Sequence, residues 1–265
     1  MRHCYVLRVF TRGDDGGNHL GVVTDMTGLP EKMMQQIATE NGFSETVFID
    51  WRDEGIPHVR IFTPALELPF AGHPLVGAAW VLGMIGPGTV DRMTCEVGEI
   101  PFWMDGDEVW VDTPMATEIY ATAEAEAVAV AGRLPEPVAA WRVMMPLEYL
   151  VVDAGSSEAV TSADPDFAAL QENDVSLCYL FAMEGDAVTA RFFAPGAGVP
   201  EDAATGSAAA ALAAILHHRG KEKGAFEVRQ GDAMGHPSTI KVSWNGPVVG
   251  LGGTVRRDEV RVLEA

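Results

Sequence analysis

Four polar side chains stand where acid–base chemistry could be done: Glu45, His73, Asp202 and Ser207. Ser44-Glu45-Thr46-Val47-Phe48 puts a carboxylate at the entry of a β-branched, aromatic run. A glutamate there is commonly just solvated. One that faces an apolar cleft is desolvated, and its pKa rises toward the range useful for general acid–base catalysis. His73 follows Gly72 at the start of an apolar run, with Pro74 suited to the first helical position. It reads either as a capping or packed histidine, or as a proton-sharing group at the positive end of a helix. Asp202 and Ser207 carry a similar pair of readings, natural helix caps or polar groups on a shared cleft. Glu67, in Glu67-Leu68-Pro69-Phe70, reads better as a loop anchor than as a catalyst.

The elements that must position these groups are written twice. Arg60-Ile61-Phe62-Thr63-Pro64 leads to Ala71-Gly72-His73-Pro74 and an apolar run over residues 75–82. Arg191-Phe192-Phe193-Ala194-Pro195 leads to Thr205-Gly206-Ser207-Ala208 and a second run over 209–216. Each copy reads as strand, proline-bearing turn, glycine, polar residue, buried helix. Two such helix starts on one cleft would offer N–H groups and partial positive charge to a small anion.

Composition narrows the function classes. With 38 acidic against 18 basic residues, the formal charge is −20. That disfavours nucleic acid and anionic membrane surfaces as partners. No run reaches the ~18 apolar residues of a membrane span. The N-terminus runs straight into a strand-like segment, so a signal peptide is not expected. Cys4, Cys95 and Cys178 share no C-x-x-C spacing, which suits a reducing cytoplasm. The seven histidines show no paired metal spacing, and His217-His218 reads as a helix C-terminal pair, so no metal is expected. Lysines at 32, 221, 223 and 241 lie outside the motifs, which argues against Schiff-base chemistry. The glycine-rich residues 13–17 lack the order of a dinucleotide site and read as a turn. G-x-S-x-G is absent, so a serine hydrolase is disfavoured.

Along the chain, strands are predicted over 5–11, 46–49 and 58–62, and a helix over 30–41 stopped by Gly42. Short strands are predicted within 97–111 around the Asp105-Gly106-Asp107 turn. A junction over 114–135 divides the chain into domains 1–116 and 117–265. The second holds helices at 123–131 and 167–171 and strands at 149–153, 177–182, 187–193, 226–230, 239–244 and 248–251. Short, hairpin-linked strands favour antiparallel sheets, each wrapping one apolar helix.

The strings GNHLGVV, SETVFI, RIFTPALELPFAGHPLVGAA, RFFAPGAGVPEDAATGSAAA and RQGDAMGHPSTIKV occur here in the order seen in the PhzF-like, or phenazine biosynthesis-like, proteins. The resemblance covers nearly the whole chain. It implies an α/β (α+β) fold of two pseudo-symmetric diaminopimelate epimerase-like halves. Each half is a curved, mostly antiparallel sheet around a central helix, with the active site between the halves. It further implies a cytoplasmic, cofactor-independent isomerase that moves a proton within a small, carboxylate-bearing, cyclic or unsaturated substrate. By motif, Glu45 matches the proton-shuttling glutamate, and His73, Asp202 and Ser207 match the polar residues around it. Gly72 and Gly206 stand where the amino-acid epimerases carry cysteines. These glycines, with Pro74 and Ala208, are the expected substrate-binding positions. Asn18-His19, Ala203 and Gly235-His236 depart from the common family pattern at places that bear on substrate contacts. A homodimer is left open. The rival reading is a binding protein that keeps the fold without catalysis.

Overall fold

The computed structural model describes residues 2–51, 55–86, 90–116, 118–121, 123–145, 147–195 and 199–263. The chain forms two units, Met1–Thr113 with Leu251–Ala265, and Pro114–Gly250. In the first, the chain order is β1 (Arg2–Val9), β2 (Asn18–Val23), α1 (Glu31–Asn41), β3 (Glu45–Asp50) and β4 (His58–Phe62). There follow the two-residue β5 (Glu67–Leu68), α2 (Gly72–Ile85), β6 (Arg92–Cys95), β7 (Gly98–Asp105) and β8 (Glu108–Pro114). β1 pairs antiparallel with β2, β2 parallel with β3, and β3 antiparallel with β4. β4 takes β5 antiparallel and touches β6 in parallel, and β6, β7 and β8 form a meander. The parallel β2–β3 step needs a crossover. α1 supplies it and ends on Gly42 at φ 67°, whose N–H closes onto the Ala38 carbonyl.

The second unit contains β9 (Glu118–Ala121), α3 (Ala123–Ala131), β10 (Ala139–Met145), β11 (Leu147–Asp153), α4 (Ser157–Ser162) and α5 (Phe167–Glu172). β12 (Cys178–Glu184), β13 (Ala187–Ala194), β14 (Val199–Asp202), α6 (Gly206–His218), β15 (Lys223–Gln230) and β16 (Ser238–Asn245) follow. β17 (Val248–Leu263) starts there and ends the chain. The ladder repeats the first unit: β10–β11 antiparallel, β11–β12 parallel, β12–β13 antiparallel, then β13 with β14 antiparallel and β15 parallel. The fold class is the one the sequence implies, mostly strands with one central helix in each unit.

Both central helices are apolar all round, the mark of a helix enclosed by its surroundings. Residues 72–79 of α2 and 206–216 of α6 are buried throughout. Gly77 explains how close α2 approaches its sheet, since a Cβ there would lie 2.2 Å from Leu20 Cδ2 and 3.1 Å from Val9 Cγ2. A second layer lies around α1, where Met34 and Ala38 pack with Cys4, Val23, Phe48 and Phe62. In the other unit Val128, Leu170, Val160 and Leu180 belong to one core cluster with Phe193.

Four expectations need amendment. α2 begins at Gly72, so Pro74 is its third residue rather than its first; it still falls in the first turn, where a missing N–H breaks no intrahelical bond. β17 runs twelve residues beyond the expected end at 251, because its charged second half pairs with β1 from Arg2↔Leu263 to Val9↔Val255. Those last residues therefore count with the first unit, not with 117–265. The expected changeover at 116/117 touches Thr117, which lies outside the described residues, and the units change over at Thr113/Pro114.

Candidate active site

In the first unit, β3 and the start of α2 bring Glu45 and His73 together. Glu45 is the first residue of its strand and His73 the second of its helix. Glu45 Oε2 lies 3.3 Å from His73 Nε2, with the two side chains 15% and 4% exposed. The other ring nitrogen, Nδ1, lies 3.3 Å from the side-chain nitrogen of Asn18, the first residue of β2. The Ser44 hydroxyl donates to the Asn18 amide oxygen at 3.0 Å. Ala71 offers no side-chain cap to α2, so the helix starts on the backbone of Gly72 and His73 alone. The reading of His73 as only a cap is thereby set aside: its ring is engaged by Glu45 and Asn18.

In the second unit, Asp202 closes β14, and Ser207 is the second residue of α6. The Thr205 hydroxyl donates to Asp202 Oδ2 at 2.6 Å. The Gln230 amide donates to the Asp202 carbonyl at 2.8 Å and to Thr205 Oγ1 at 3.0 Å. Ser207 Oγ accepts from the Tyr149 hydroxyl at 2.9 Å, a buried contact. The N-cap residue of α6 is Thr205, and it makes no side-chain cap. Neither Asp202 nor Ser207 occupies the cap position that was one of their two readings.

Each helix start is held by the same device. Arg60 makes two bonds to Glu67, at 2.7 and 2.5 Å, and lies 5.1 Å over the Phe62 ring. Arg191 makes two bonds to Glu201, both 2.8 Å, and lies 4.8 Å over Phe193. A bidentate guanidinium–carboxylate pair fixes both distance and plane, so the strand before each helix is tied to the segment that leads into it. Glu67 is the loop anchor its setting suggested.

Gly72 and Gly206 open α2 and α6 without a thiol. Cys4, Cys95 and Cys178 are all buried on β1, β6 and β12. Burial pushes each thiol up, that of Cys178 to about 12. The departures from the family pattern have local partners: the His19 ring stacks on Phe43 at 5.6 Å and approaches Asp258 at 3.7 Å. The His236 carbonyl accepts from Ser238. His217 and His218 fall in the last turn of α6, as read. Among the described residues no cluster of metal-ligating side chains occurs, and no helix is long and apolar enough to cross a membrane. The sequence reading passed over Asn18 and Ser44, Thr205 and Gln230, and Tyr149 as site residues. All but Tyr149 stand inside the motif strings; no local signal marked it.

The family model for phenazine biosynthesis-like protein matches residues 7–261. A Pseudomonas aeruginosa protein named trans-2,3-dihydro-3-hydroxyanthranilate isomerase is 34% identical over 252 residues, spanning 91% of this chain and 89% of its own. An Enterococcus faecalis structure of the PhzF family superposes with a TM-score of 0.81 at 24% identity, covering 99% of both chains. A hydroxyproline epimerase from Agrobacterium vitis gives a TM-score of 0.67 at 13% identity, over 98% of this chain and 91% of that one.

Proposed function

From a chain that belongs to the phenazine biosynthesis-like protein family, we propose an isomerase that moves a proton within a small, carboxylate-bearing, cyclic substrate without a cofactor. Glu45 is its general acid and base. As a carboxylate it takes a proton from one ring carbon, and as the resulting acid it returns that proton to another carbon on the same face. The electron pair left by the first C–H bond shifts along the conjugated system to form the second. His73 flanks the Glu45 carboxylate at 3.3 Å, and Asp202 and Ser207 position the substrate. N–H groups that follow Gly72 and Gly206 receive its carboxylate, helped by the helix dipoles, with Pro74 and Ala208 alongside.

The observation that carries this reading is the Glu45–His73 contact, a largely desolvated carboxylate held by a buried imidazole. Burial of that kind costs stability unless a function retains it. The absence of thiols at both helix starts supports an isomerase over a two-base racemase, since a racemase needs an acid and a base on opposite faces of one carbon.

The test is turnover in deuterium oxide of trans-2,3-dihydro-3-hydroxyanthranilate and a panel of cyclic amino and hydroxy acids. Isomerised product is expected for at least one of them, with deuterium at the receiving carbon to the extent that the Glu45 carboxyl exchanges with solvent before returning its proton. No turnover and no exchange anywhere in the panel would overturn the reading.

A further inference from the structure

Asn18 has no part in the proton transfer proposed above, yet it is buried and faces the far side of the imidazole that touches Glu45. Its amide oxygen accepts from the Ser44 hydroxyl at 3.0 Å. The amide NH2 group is thereby turned toward His73 Nδ1. We infer that Asn18, itself held by Ser44, is a positioning residue that keeps His73 as the neutral tautomer with its proton on Nε2, the ring nitrogen nearer Glu45.

The Asn18 contact sets the proton placement. An amide NH2 is a donor, so Nδ1 facing it must be an acceptor and carry no proton. The single proton of a neutral ring then sits on Nε2, the nitrogen 3.3 Å from Glu45 Oε2. Turning the Asn18 amide over would put a proton on Nδ1. The Nε2 lone pair would then face the carboxylate, or the ring would become an imidazolium. The first repels Glu45. The second pairs with it as an ion, lowering its pKa and weakening it as a base. A neutral ring instead leaves Glu45 beside a group without charge, whether the carboxyl is ionised or protonated. That suits a group that must pick up a proton and release it. The local backbone supports the placement: Asn18 pairs with Val9 at the end of β1, and the next residue, Phe10, holds φ at 64° and is fully buried. A non-glycine residue in that region persists only where its surroundings enforce it.

The consequence for turnover rests on the reading of Glu45 as acid and base, whereas the tautomer does not. It is read on the substrate-free protein by long-range proton–nitrogen correlation NMR, with His73 assigned by its loss in His73→Gln. The wild type is expected to show His73 Nδ1 as a bare, pyridine-type nitrogen and Nε2 as a protonated, pyrrole-type one. In Asn18→Asp the new carboxylate accepts from Nδ1, so both nitrogens should become pyrrole-type at neutral pH. If the panel above is turned over, kcat of that variant should fall at least about tenfold with KM changed far less. A protonated Nδ1 in the wild type would overturn the inference without recourse to any variant. So would a folded Asn18→Asp protein whose Nδ1 stays bare. A bare wild-type Nδ1 in a protein that turns over nothing would uphold the tautomer and count against the proposed function alone.

Discussion

Glu45→Gln separates the chemistry of this carboxylate from its structural role. Glutamine keeps the length of the side chain and an oxygen that can accept from His73 Nε2, so the 3.3 Å contact has a neutral substitute. What changes in the fold is one contact, from a carboxylate beside an imidazole to a neutral amide beside it, a loss of about 1 kcal/mol. For a chain of this size that amounts to a fall in melting temperature of about 2–4 °C. What changes in the chemistry is the titrating proton. A lost general acid or base costs at least ~10²-fold in turnover. That fold-change corresponds to about 2.7 kcal/mol of transition-state stabilisation. The expected pattern is a small thermal shift beside a large loss of kcat, with deuterium incorporation lost in proportion. Intact-mass analysis of each preparation excludes residual glutamate by deamidation. Wild-type-like turnover by the glutamine variant would refute the assignment of Glu45. A large thermal shift matching the loss of activity would show that the residue acts on the fold instead.

The remaining expectations concern the scaffold. Native protein treated with iodoacetamide should keep its activity and gain almost no mass, because Cys4, Cys95 and Cys178 are buried with raised pKa values; urea-unfolded protein should gain three adducts. Substrate-protected modification of one cysteine with parallel loss of activity would contradict this. Glu201→Ala should cost more than Glu67→Ala in urea unfolding, about 2–3 against about 1–2 kcal/mol. Arg60 keeps Glu31 at 2.8 Å when Glu67 is lost, whereas Arg191 keeps a bond to the Ala163 carbonyl when Glu201 is lost; the reverse order would refute the comparison. Burial raises the Asp112 pKa, so its charged form is disfavoured in the folded state. That cost is present above the folded pKa and vanishes below the unfolded one. Asp112→Asn should therefore raise the melting temperature at neutral pH and lose that advantage near about pH 3; an advantage that persists in acid would show another cause.

The legible parts of this chain were those with a local physical signature. Gly42 ends α1 in the left-handed region that glycine adopts at little cost. The apolar runs after Gly72 and Gly206 gave the central helices because nothing polar interrupts them. The second half of β17 escaped, since its alternation of charged residues with Val260 and Val262 belongs to an exposed strand, and its partner β1 is some 250 positions away in sequence. β2, mostly buried and paired with the neighbouring β1, was missed for a different reason: Gly21 interrupts its apolar run. Gly21 is where Asn41 and Thr46 approach closest, since a Cβ there would meet their side-chain atoms at 2.8 and 3.2 Å. Of the four proposed catalytic groups, His73 and Ser207 were placed by the repeat itself, while Glu45 needed the family motif. Tyr149 shows the limit. Its bond to Ser207 spans 58 positions and joins a strand to a helix, and nothing in its own neighbourhood announces it.

The repeat also shows where the two units diverge, and that divergence bears on the chemistry. Arg60 stands opposite Phe48 in the first ladder, and Arg191 stands opposite Leu180 in the second. Aligning the two arginines makes Thr46 the counterpart of Cys178, and Glu45 the counterpart of Leu177. Aligning the glycines that open the central helices makes His73 the counterpart of Ser207. The duplicated parts, Arg–Glu staple, phenylalanine under the guanidinium and buried helix, are scaffold. The parts that differ include the titrating ones: at these places a carboxylate–imidazole pair stands in one unit and a buried leucine and a serine in the other, whose carboxylate, Asp202, lies instead at the end of β14. A reaction that needed matched bases from both units would require an ionisable group at both places. The proposed transfer, which lifts and returns a proton on a single face, requires it at only one.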